Sequence, residues 1–82
     1  MSKLDWDELP DKLSDTGEIF HYVEYGNMDS FIQYIPSYAV WNWRVSQTTK
    51  ENGQIIERDF VISGDALTLE SAKRAAEEEM GA

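Results

Sequence analysis

Carboxylates are the main chemical resource of this chain. They gather in two groups: Asp5, Asp7, Glu8 and Asp11 near the start, and Glu77, Glu78 and Glu79 near the end. Clustered carboxylates can hold a hard cation, move a proton or meet a basic surface. The first group lacks the glycine and the terminal bidentate glutamate of a calcium hand, so it reads as solvated acids around Trp6. The single histidine, His21, falls on the apolar side of an alternating segment with no identifiable nucleophile or base beside it, which is the pattern of a core or edge histidine. The five glycines are scattered, and none forms a phosphate-cradling loop. With no cysteine, thiol chemistry, disulfides and cysteine-based zinc sites are excluded. These residues predict a non-enzymatic protein without metal or cofactor.

The elements that must position the acids follow from the hydrophobic pattern. From Tyr38 to Thr48, Ala39, Trp41, Trp43 and Val45 alternate with Tyr38, Asn42, Arg44 and Ser46, which is the period of a half-buried strand. Gln54 to Ser63 reads as its partner strand, with Ile56, Phe60 and Ile62 on the inward face, interrupted by Arg58, and Ile55, Glu57, Asp59 and Val61 on the other. Asn52-Gly53 between them suits a type I′ turn, in which both central residues need positive φ. A two-residue loop there pairs Glu51 with Gln54, which sets Val45 against Phe60, Trp43 against Ile62, Thr48 against Glu57 and Ser46 against Asp59. Gly64-Asp65 reads as a break. Thr68 is then a helix N-cap, with Glu70 in the first turn and Leu67 and Ala72 placed for a hydrophobic staple. Leu69, Ala72, Ala76 and Met80 form a stripe along residues 68–80, and Gly81 stands where a C-terminal cap belongs. The small side chains of that stripe leave room for the tryptophans of the facing sheet.

Further back, Glu18 to Tyr25 alternates as a strand, with Ile19, His21, Val23 and Tyr25 on one side and Phe20 and Tyr22 on the other. Residues 28–35 fit either a helical face or a further strand turned at Gly26-Asn27. Residues 1–16 read as an acidic helix or arm that lays Trp6, Leu9 and Leu13 on the domain. The expected fold is α+β: one domain, an antiparallel sheet of three to four strands within residues 18–63, a C-terminal helix on one face and a short N-terminal helix or arm.

Sixteen acids against seven bases give a net charge of −9, and residues 1–29 alone carry eight acids and two bases. Such a surface repels nucleic acid and anionic membranes and attracts basic partners; it also simply keeps a small domain soluble. No apolar run is long enough to span a membrane and no signal peptide is visible, so a cytoplasmic protein is expected. Glu77, Glu78 and Glu79 lie at the helix C-terminus, where the helix dipole disfavours anions. Lys73 and Arg74 can offset Glu77 and Glu78 one turn on, and a basic partner would give the triplet a use.

Trp41, Trp43 and Arg44, followed by Lys73-Arg74 on the helix, interleave aromatics with bases in the way nucleic-acid binders do. The hairpin and helix resemble the end of double-stranded RNA-binding domains, but the segment where that family has its basic cluster is here Thr68-Leu69-Glu70-Ser71. Residues 38–80, with Trp41-Asn42-Trp43-Arg44-Val45 and Ala66-Leu67-Thr68-Leu69-Glu70-Ser71-Ala72, also resemble small acidic open reading frames of bacteriophages and prophages. That resemblance implies an inhibitor in a host cytoplasm that blocks a nucleic-acid-handling or defence protein, in some cases by mimicking DNA. The candidate contact residues are Asp5, Trp6, Asp7, Glu8, Asp11, Glu77, Glu78 and Glu79, with Trp6 as an anchor. The expected partner is a basic host protein surface, not nucleic acid or membrane, and the chain acts as a monomer or homodimer. The alternatives are a nucleic-acid-binding accessory protein that uses the sheet face, and an assembly subunit joined through Tyr38, Val40 and Val61.

Overall fold

The computed structural model describes residues 2–10 and 19–82. The architecture is α+β. Among the described residues, five strands, β1 (Asp7–Pro10), β2 (Ile19–Tyr25), β3 (Met28–Ile35), β4 (Val40–Glu51) and β5 (Gln54–Ala66), form one antiparallel sheet in sequence order. Helix α1 (Leu69–Met80) lies mainly over β3, β4 and β5. No helix among the described residues is long and apolar enough to cross a membrane. The sheet has one or two strands more than expected. The ambiguous segment 28–35 is a strand, because it pairs with β2 on one side and β4 on the other and turns Ser30 and Ile32 to the core. Residues 7–10 form a strand where a helix or arm was expected, since Asp7 and Glu8 pair with Tyr22 and His21. Only residues 2–6 behave as an arm; Asp11 and Leu13 lie outside the described residues.

One sheet face builds the core. Across β2, β3, β4 and β5, His21, Ile32, Trp43 and Gly64 stand side by side, and so do Val23, Ser30, Val45 and Ile62. Val23, Ile32, Trp43 and Val45 are buried with Ala72, Ala76 and Met80 of the helix, and Leu4 and Trp6 of the arm pack against this cluster. The helix has the expected limits. Thr68 Oγ1 accepts the Ser71 N–H at 3.1 Å, and Gly81, at φ +83°, donates back to the final turn. Leu67 does not form the staple; it is 82% exposed.

The hairpin departs from the expected register. The Asn52-Gly53 turn has the two positive φ values of a type I′ turn and pairs Glu51 with Gln54. Two β-bulges then intervene, because Lys50 pairs Ile55 while Thr49 pairs Glu57, and Ser46 pairs Phe60 while Val45 pairs Ile62. Ile56 and Val61 are the extra residues. Each bulge shifts the register by one residue, so the two together restore the parity that keeps Ile62 on the core side. Trp43 therefore faces Gly64 instead of Ile62, and Val45 faces Ile62 instead of Phe60. Ile56 and Phe60, expected to face inward, are 60% and 64% exposed.

The turn between β3 and β4 holds Ala39 at φ +52°, a conformation in which Cβ crowds the following carbonyl. Glycine relieves that contact at some entropic cost, so Ala39→Gly should stabilise the fold by about 0.5–1 kcal/mol. An unchanged or lower urea midpoint would contradict this reading of the turn.

Candidate functional site

Glu77 organises the acidic end of the molecule. The 3.6-residue period that places Leu69, Ala72, Ala76 and Met80 toward the sheet also places position 77 there, and Glu77 is only 2% exposed. Its carboxylate meets the arm. Oε1 and Oε2 accept the Lys3 backbone N–H at 3.0 and 3.1 Å, and Oε2 also accepts the Leu4 N–H at 2.8 Å and the Trp6 Nε1–H at 2.9 Å. Burial alone would push this carboxyl up. The donors of Lys3, Trp6 and Leu4, with the Lys3 charge, more than reverse that and hold it below the ordinary 4.5.

This geometry corrects two expectations. Glu77 is not an exposed contact residue, and Trp6 is not a free anchor: it is half-buried, with its indole N–H held by Glu77. Both belong to the internal clasp between arm and helix. The clasp in turn brings the two predicted acidic groups to one end of the molecule. Asp5 lies between residues bonded to Glu77, Asp7 and Glu8 follow directly, and Glu78 and Glu79 continue the helix; all five are exposed. Asp11 lies outside the described residues. A hollow of about 380 Å³ beside the clasp is lined by Lys3, Arg74 and Glu78 among others.

His21 sits on the core face of β2, 6% exposed, with its ring edge-on to Trp41 at 5.9 Å and Nδ1 without a hydrogen-bond partner among the described residues. Burial, and next the charge of Lys73, lower its pKa below the ordinary 6.5, partly offset by Glu8. A histidine that folds in the neutral form is protonated first in the unfolded chain, so it destabilises the fold as pH drops below 6.5 toward its folded value. Urea midpoints should therefore fall between pH 7 and 5, and His21→Gln should flatten that slope. An equal slope in the variant would place its origin elsewhere.

The opposite sheet face is covered by no described element. A polar ladder crosses it. Lys50 Nζ meets Glu24 Oε2 at 2.9 Å, the Tyr22 hydroxyl shares its one proton between Glu24 Oε1 at 3.1 Å and Asp29 Oδ2 at 3.0 Å, and Arg58 Nε meets Asp29 Oδ2 at 2.7 Å. Asp29 is wholly buried, and Arg58 also lies 5.4 Å from the centre of the Phe31 ring. Burial, reinforced by Asp29 and Glu24 and partly opposed by Arg58, pushes the Tyr22 phenol well above its usual range. Beside the ladder, Phe20, Phe31, Gln33, Ile35, Asn42 and Arg44 line a hollow of about 410 Å³. Sequence reasoning missed both the clasp and the ladder. Only the clasp left a trace there, in the position of Glu77 on the helix stripe. Compared with known proteins, the chain matches no family model, no curated protein and no solved structure.

Proposed function

We propose that this chain is a non-enzymatic interaction domain whose acidic end docks on a basic protein surface. The observation that carries this reading is the Glu77 clasp. It ties the arm that carries Asp5, and leads into Asp7 and Glu8, to the last helical turns that carry Glu78 and Glu79, which supports joint action of carboxylates distant in sequence. A patch of this kind suits lysines and arginines that would otherwise hold phosphates. The biological role that fits is inhibition of a nucleic-acid-handling or defence protein in a host cytoplasm. Single exposed ion pairs contribute little, about 0–1 kcal/mol, so recognition rests on the set and on long-range attraction.

The competing reading, nucleic acid on the open sheet face, has the hollow between Phe20, Phe31 and Arg44 in its favour, since aromatic rings can stack bases. Against it, Asp29 and Glu24 engage two of that face's cations, Arg58 and Lys50, and the net charge is −9.

Capture from a cell extract separates the two. The immobilised protein should retain proteins with basic, nucleic-acid-binding surfaces, and duplex DNA or added salt should release them. A variant with Asp5→Lys, Asp7→Lys and Glu8→Lys should retain none. Equal capture by that variant, or direct binding of DNA by the protein itself, would overturn the proposal.

A further inference from the structure

Strand β5 forms one edge of the sheet, with no described strand outside it, and runs for 13 residues. Its outward N–H and C=O groups are a ready template for another strand. The edge also carries apolar side chains that the core does not use: Ile56, Phe60 and Val61 are 60%, 64% and 48% exposed. Between the two bulges, Glu57 to Phe60 pairs regularly with β4, so four consecutive residues keep the geometry that strand addition requires. In this stretch Glu57 and Asp59 point to one face, and Arg58 and Phe60 to the other. Arg58 is already bound to Asp29, so the charges left for a partner are the two carboxylates.

A second copy of the chain is disfavoured along the regular stretch of this edge. Directly opposed residues of an antiparallel pair lie on the same face. Two β5 strands related by a twofold axis must therefore match odd residues with odd and even with even. An axis at residue 58 sets Glu57 against Asp59 twice and Arg58 against itself. An axis at residue 59 sets Asp59 against itself. Both arrangements oppose like charges directly, which disfavours pairing.

We infer that β5 is a strand-addition edge for a partner segment of a different sequence, extended and alternating basic with apolar residues. Its basic side chains lie opposite Glu57 and Asp59, and its apolar side chains extend the row of Phe60. Main-chain hydrogen bonds supply affinity and the alternate side chains supply selectivity. The inference shares with the proposed function the premise of a basic partner, but it uses a different surface from the acidic end.

The probe is an acetylated and amidated hexapeptide of alternating lysine and valine, titrated into the isotope-labelled protein. Amide resonances of residues 57–60 should shift and become protected from hydrogen exchange. An analogue N-methylated at alternate residues, which cannot pair, should leave them unmoved. The double variant Glu57→Lys, Asp59→Lys should bind about tenfold more weakly, since it replaces two attractive cross-strand pairs with repulsive ones. Reversing Asp5, Asp7 and Glu8 should leave the β5 shifts in place, which separates this proposal from the proposed function. Shifts confined to residues 5–8 and 78–79, equal binding of the N-methylated peptide, or no binding at millimolar peptide would each overturn it. So would a wild-type dimer with β5 already protected, which would give the edge to a second copy.

Discussion

Replacing Glu77 with alanine is expected to lower the unfolding free energy by about 2–4 kcal/mol, although glutamates near helix ends are usually dispensable. Three N–H donors converge on this one carboxylate, at 2.8 to 3.1 Å. A hydrogen bond to a charged group contributes about 1.5–3 kcal/mol net. The full sum is not expected, because a released arm regains water for its donors. Leu4 and Trp6 would leave the core together, adding lost apolar burial. Glu77→Gln should fall between, since the amide keeps one acceptor oxygen and turns the other position into a donor facing donors.

The pH dependence gives an independent signature. The folded pKa of Glu77 lies below its ordinary 4.5, so its contribution is complete above the unfolded value and is lost as pH falls through the folded one. Wild-type stability should drop below pH 4.5 by an amount that Glu77→Ala lacks. Urea titrations at neutral and acid pH measure both effects, and a variant as stable as wild type at neutral pH would sink the clasp.

Gly64→Ala is expected to cost about 1–3 kcal/mol through overpacking, and Gly64→Val more. A Cβ built on Gly64 would lie 2.7 Å from Trp43 Cζ2 and 2.9 Å from Cε2, closer than real contacts allow. The indole is 8% exposed and sits in the core with Ala72 and Ala76, so it has little room to retreat. The cost should therefore be coupled to the ring. In a Trp43→Phe background, which removes the larger ring, Gly64→Ala should cost less than half as much. Equal costs in both backgrounds would show that the indole does not rest on this glycine.

Gly64 also shows where the sequence misleads. Followed by Asp65 it resembles a chain break, yet it lies inside β5 because the facing strand needs the space above it. The hairpin turn, the helix with both caps and the alternation of β2 and β4 were legible because local chemistry and the core pattern agree there. The bulges were not, because Ile56, Phe60 and Ile62 suggest one apolar face interrupted only at Arg58, whereas the register that satisfies Trp43 and Val45 sends Ile56 and Phe60 to solvent. Strand β1 was hidden by its acids: Asp7 and Glu8 lie at the sheet edge, where charged side chains are favoured. The acidic groups were found as sequence clusters. Their union was not, since it depends on long-range donors that no local pattern reveals.

The most direct test is whether the two acidic groups act as one surface. Decalysine titrated into the isotope-labelled protein should shift the amides of residues 5–8 and 78–79 along a single binding curve that weakens as salt is added. With Glu77→Ala, which frees the arm, the same resonances should follow separate and weaker curves. Two independent curves in the wild-type protein, or one unchanged by Glu77→Ala, would contradict the account.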